Sequence, residues 1–205
     1  MTERRTDITS FLVALKTGLG SARLSPAARS CADAIWRRLE ETAGEMRPQG
    51  SRVPACGWLA DALAQASVAP GPAAIAGCFS ILEPSLTWRR RDGGPNASPN
   101  IMEGHGNAMV IGPGGLEERD DVWIGISLLA PHTRYPDHRH PPEEVYYVLS
   151  PGLFRQGDGE WFEPGAGGVF HNPPGIWHAM RSEDAPLLAA WILRPDHVKS
   201  TKRHA

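Results

Sequence analysis

The chain has 205 residues, enough for one substantial domain with its own core but short for two. Its net charge of -2 and its scattered basic residues argue against a nucleic-acid partner. The 22 Gly and 19 Pro imply many turns, and therefore many short strands.

From about Ile8 to Ala66 the pattern is helical. Lys16, the only lysine ahead of Lys199 and Lys202, sits here, so the central body offers no lysine for a Schiff base or a phosphate-cradling loop. Ser25 and Pro26 form an N-cap and first-turn pair, followed by Ala32, Ile35, Trp36 and Leu39 at helical spacing. A second amphipathic stretch, CGWLADALAQAS, puts Leu59, Leu63 and Ala66 on one face. Residues 1–70 read as a helical extension packed on a β-rich domain spanning 71–205. Cys31, Cys56 and Cys78 show no C-x-x-C spacing and read as buried thiols. Neither a secretory leader pattern nor an apolar run long enough to span a membrane is visible, so the expectation is a cytoplasmic protein with no membrane partner.

SVAPGPAA, residues 67–74, marks the changeover. After it come candidate strands AGCFSIL, LTWRR, AMVIG, VWIGISLLA, EVYYVLS, EWFEP, GGVFHN, HAMRS and LLAAWIL. Parallel sheets would need crossover helices between strands, so the spacing predicts a mainly β antiparallel sandwich or barrel. GPGGLEERDD, residues 112–121, lacks the strand and helix start of a nucleotide loop and reads as a turn.

The chemistry concentrates in YPDHRHPPEEVYYVLSPG, residues 135–152. If this stretch is extended, His138, His140, Glu144 and Tyr146 share one face, while Glu143 and Tyr147 take the other. Two imidazoles and a carboxylate form a mixed N/O set suited to zinc, iron, manganese, cobalt or nickel, and poorly suited to calcium or magnesium. His178, in PPGIWHAM, is the best candidate for a fourth ligand, because it follows a Pro-Gly turn and opens a strand. His171 has the opposite parity.

His138, one residue, His140, three residues and Glu144 resemble the first motif of the cupin superfamily. Gly167, five residues, Pro173, Pro174, Gly175, two residues and His178 resemble the second. His132, Gly152 and Ser182 depart from that pattern at positions that shape turns. Tyr146, two residues after Glu144, and the later PLLAAWIL make residues 85–195 similar to the cupin-type dimethylsulfoniopropionate (DMSP) lyases, as does the helical extension. The resemblance implies a double-stranded β-helix, or jelly roll, holding a divalent transition metal such as zinc, iron or manganese.

It also implies β-elimination of a zwitterionic small molecule, DMSP, to dimethyl sulfide and acrylate. The metal would polarise the substrate carboxylate, and Tyr146 would take the proton beside it. Tyr135 matches a family position near the substrate, as binder or auxiliary acid/base. Aromatic faces suit a sulfonium, and Trp123, Tyr135, Trp161, Trp177 and Trp191 are candidates, with Tyr135 and Trp177 foremost. A metal-dependent cupin dioxygenase and a non-catalytic small-molecule-binding cupin are the rival readings. Symmetry base rates make a homodimer the default assembly.

Overall fold

The computed structural model of the protein describes residues 4–41, 43–47 and 50–195, so Lys199 and Lys202 lie outside the described residues. Five α-helices are present among them: α1 (Thr6–Ser21), α2 (Pro26–Glu41), α3 (Leu59–Ala66), α4 (Pro70–Leu82) and the short α5 (Ile101–Gly104). The strands are β1 (Glu45–Met46), β2 (Trp88–Arg89), β3 (His105–Ile111), β4 (Glu117–Glu118) and β5 (Trp123–Leu129). They continue with β6 (Glu143–Val148), β7 (Leu153–Gln156), β8 (Val169–Asn172), β9 (His178–Arg181) and β10 (Leu187–Arg194).

The helices form where local rules favour them. Ser25 Oγ accepts the Ala28 N–H at 3.2 Å, capping α2 directly ahead of Pro26. Ile8, Phe11, Leu12, Leu15 and Leu19 recur on one buried face of α1. The expected strand AGCFSIL is instead the body of α4. A short apolar run cannot be assigned by periodicity alone, and prolines in a first turn start a helix rather than break one. Helix thus continues past Pro70 to Leu82.

The strands form a mainly β jelly roll whose two sheets are not closed. The larger sheet runs β1-β4-β3-β5-β10-β6-β8, with β2 paired to β3, and the smaller joins β7 to β9. The segment before β6 belongs beside the smaller sheet: the Tyr135 N–H donates to Met180 O at 2.9 Å, and His138 and His178 exchange backbone hydrogen bonds at 3.0 and 2.9 Å. EWFEP makes only a bridge from Phe162 to Phe154, and β7, bounded by Gly152 and Gly157, was not anticipated. Its four residues are too few to show a period.

The large sheet is buried on both faces. Val145 and Tyr147 on β6, with Leu188, Ala190 and Ile192 on β10, pack into the core shared with the helices. Tyr146, Val148, Leu187, Ala189, Trp191 and Leu193 face the interior of the roll. Tyr147 therefore faces away from the interior, but it is buried beneath the helices, its ring close to Gly18 and Gly71. Double-sided burial explains why these strands read as continuous apolar runs. No helix among the described residues is long and apolar enough to cross a membrane.

Candidate metal centre and active site

Strand alternation puts Glu144 and Tyr146 on the inner face of β6, and the direct pairing of His138 with His178 draws the two histidine segments together. Gly175, with φ of 72°, makes the turn that leads into β9, and its N–H donates to His140 O at 2.9 Å. The potential ligand atoms of His138, His140 and His178 lie within 4.8 Å of one another. Glu144 Oε2 is 3.4 Å from His140 Nε2 and 3.3 Å from His178 Nε2.

The donor set fits a cation. Each Nδ1 faces a backbone carbonyl: His138 that of Pro136 at 3.0 Å, His140 that of Pro142 at 2.7 Å, and His178 that of Ile176 at 3.0 Å. A carbonyl only accepts, so each Nδ1 carries a proton and each Nε2 is left to face the group. His178 Nε2 is buried, with the Glu144 carboxylate as its ion-pair partner. Facing lone pairs on imidazole nitrogens and a carboxylate are what a divalent transition metal with N/O preference bridges.

Electrostatics divide the group. Burial drags His138 down to about 3, and the neighbouring His178 adds to the effect. Burial alone would raise Glu144, but hydrogen bonds and charge from His140 and His178 outweigh it and hold the carboxyl at about 2. Burial pulls His140 down, yet the Glu144 carboxylate outweighs it and raises the imidazole. Metal binding requires neutral imidazoles beside an ionised carboxylate, so a cation would displace the proton that Glu144 favours on His140.

A cavity of about 280 Å³ opens on this group. His138, His140, Glu144, Tyr146, Tyr135 and Trp123 all line it, as do Arg91, Asn107, Ser127 and Trp191. Tyr146 stacks on Phe170 with centroids 5.1 Å apart, and Tyr135 lies edge-on to His138 at 4.7 Å. Burial, reinforced by the Glu144 charge, pushes Tyr146 well above the ordinary tyrosine range.

Two aromatic candidates fall elsewhere. Trp177 is 47% exposed, carries Arg139 over its ring at 4.9 Å, and lines a separate cavity of about 540 Å³ that also includes His178. It does not line the cavity of Tyr146. Trp161 is packed by Arg134, Arg155 and Arg181, 4.6 to 5.4 Å from its ring, and does not line the cavity of Tyr146. Glu143 also faces away, accepting from His171 at 2.9 Å and pairing with Arg194.

Residue reasoning missed Arg91, which stands on the cavity wall, and Asn172, which supports Glu144. Asn172 directly precedes the Pro-Pro-Gly turn, but nothing in the linear order reveals that it pairs with Glu144 across strands.

A family model describing dimethylsulfoniopropionate lyases matches residues 27–189. A lyase, DddQ of Ruegeria pomeroyi, is 29% identical over 60% of this chain and 62% of its own length. A putative lyase, DddL of Cereibacter sphaeroides, is 31% identical over 52% of this chain and 44% of its own length. The matched stretch thus spans less than two thirds of either relative. The crystal structure of the DMSP lyase DddQ from Ruegeria pomeroyi superposes with a TM-score of 0.69 at 22% identity, covering 96% of this chain and 95% of that one. One from a study of the DMSP lyases RdDddP and RnDddQII also scores 0.69, at 18% identity over 95% of each chain. The fold is therefore that of these two structures. With the family match spanning most of its length, the chain belongs to the dimethylsulfoniopropionate lyase family.

Proposed function

We propose that this protein is a divalent-metal-dependent carbon–sulfur lyase that cleaves DMSP by β-elimination to dimethyl sulfide and acrylate. The observation that carries the reading is the joint placement of Tyr146 and of His138, His140 and Glu144 on one small cavity, with His178 against Glu144.

His138, His140, Glu144 and His178 would hold the cation, which when bound supplies Lewis-acid stabilisation of negative charge developing on the substrate carboxylate. Tyr146 is the base in this reading, taking the α-proton at its phenolic oxygen as the C–S electron pair leaves with dimethyl sulfide. Its burial beside Glu144 keeps the phenol protonated in the metal-free chain, so Tyr146 works only in the loaded site, where nearby positive charge favours phenolate. Tyr135 presents a second hydroxyl on the cavity wall, placed to bind substrate or pass a proton. Trp123 and Trp191 offer aromatic faces to the sulfonium. Met109, Met180 and Leu193 complete an apolar lining that limits water.

Headspace gas chromatography of protein reconstituted with zinc, manganese or iron tests the reading. The expected result is dimethyl sulfide release with and without oxygen, lowered at least ~100-fold in Tyr146→Phe with bound metal unchanged. No release from fully metal-loaded protein with any of these ions would overturn the substrate assignment. Activity that needed oxygen would favour an oxygenase instead.

A further inference from the structure

A guanidinium on the wall of a reaction cavity calls for a partner, and among the described residues Arg91 has none of opposite charge. It follows β2 on the loop toward α5, with its backbone N–H donating to Nδ1 of the buried His105 at 3.2 Å. Its side chain turns into the cavity, lies over the Tyr135 ring at 5.4 Å and donates from Nη1 to the Tyr135 hydroxyl at 3.3 Å. Among the described residues no carboxylate forms an ion pair with Arg91, whereas the other wall cation, Arg139, is exposed and stacked on Trp177. Glu144, the carboxylate among the described lining residues, is engaged by His140, His178 and Asn172.

We propose that Arg91 is the anion anchor of this cavity, pairing with the carboxylate of the substrate and setting a requirement for a carboxylate-bearing ligand. The chemistry is specific. A half-buried guanidinium offers several N–H donors in a planar fork matched to a carboxylate, and its attraction is stronger in a cavity than in water. The Tyr135 hydroxyl accepts from Nη1 alone, leaving the other Arg91 donors to a ligand. A carboxylate has two oxygens, so pairing with Arg91 does not compete with a cation held by the histidines. The same positive charge disfavours a ligand that presents only a cation, so the sulfonium of a zwitterion must lie toward the aromatic wall of Trp123 and Trp191.

This assignment deepens the lyase reading and rests on it for the substrate's identity, but its test does not need turnover. Tryptophan fluorescence of the full chain, metal-free and zinc-loaded, is titrated with propionate and with propionamide, its neutral counterpart. Propionate is expected to bind on the order of ten- to a hundredfold more tightly in both forms. The preference should collapse in Arg91→Met, survive in part in Arg91→Lys, and persist in Tyr135→Phe. With DMSP, Arg91→Met should raise KM more than it lowers kcat.

Equal binding of the two ligands by the native metal-free chain, or a preference that outlives Arg91→Met, would overturn the anchor. So would its loss in Tyr135→Phe, which would reduce Arg91 to a support for that ring. Carboxylate preference without dimethyl sulfide release would keep Arg91 and sink the lyase reading. Release without preference would do the reverse.

Discussion

Asn172 Nδ2 donates a hydrogen bond to Glu144 Oε2 at 2.9 Å, between two buried side chains that face each other across β6 and β8. Gln156 Nε2 in turn donates to Asn172 Oδ1 at 2.6 Å and to His171 O at 2.7 Å. The amide is thereby held with its N–H toward the carboxylate, which fixes the oxygen that faces His140 and His178. Such outer partners typically matter for affinity by 10- to 100-fold. Asn172→Ala is therefore expected to weaken zinc binding by about that range, read by competition with a chromophoric chelator. Unchanged affinity would remove Asn172 from the centre.

Metal should stabilise the fold. Binding to the native state alone contributes ~2.7 kcal/mol at a free concentration a hundred times Kd. Zinc is expected to raise the thermal midpoint in a concentration-dependent way, and chelation to reverse it. His138→Ala and His178→Ala should each lose most of the shift, since both supply facing nitrogens of the group. An equal zinc shift in those variants would place the ion elsewhere.

His105 predicts a pH dependence. Burial pushes its imidazole down to about 4, the Asn107 side chain opposes this, and the Arg91 charge adds to it. The unfolded chain binds the proton near 6.5 and the folded chain only near 4. The contribution is thus fully present above about pH 6.5 and is lost as pH falls toward 4, by roughly 3 kcal/mol. Urea unfolding of the metal-free chain at pH 7 and pH 4.5 should show a smaller loss in His105→Gln than in the native sequence. Equal losses would show that other groups, such as His138, carry the whole effect.

Gly125 on β5 lies beneath Trp191 of the cavity wall: a Cβ there would sit 2.3 Å from Trp191 Cζ2 and 2.6 Å from Ala108 O. Backbone on one side and a packed ring on the other leave no room to yield. Gly125→Ala should destabilise the protein by about 1–3 kcal/mol and displace the ring, whose Nε1 donates to Ser127 Oγ at 3.0 Å. Denaturant midpoint and tryptophan emission report both effects, and an unchanged midpoint would contradict the packing.

The histidine spacing, the shared face of Glu144 and Tyr146, and the antiparallel β class were legible in the chain because strand alternation and turn chemistry are local, whereas the jelly roll was implied by the family resemblance. His138-x-His140 and the Pro-Gly turn before His178 work wherever the chain is extended, and Ser25-Pro26 starts a helix without help from elsewhere. What required the tertiary structure is long-range. Only register brings His178 opposite His138 and Asn172 opposite Glu144, and hydrogen-bonded pairing between distant segments leaves no trace in linear spacing. Packing decides that Trp177 turns outward and that Arg91 enters the cavity, and it keeps Ala76–Leu82 in the helix that Pro70 starts. Short apolar runs and lone arginines carry no period, so their place is decided by the neighbours that bury them.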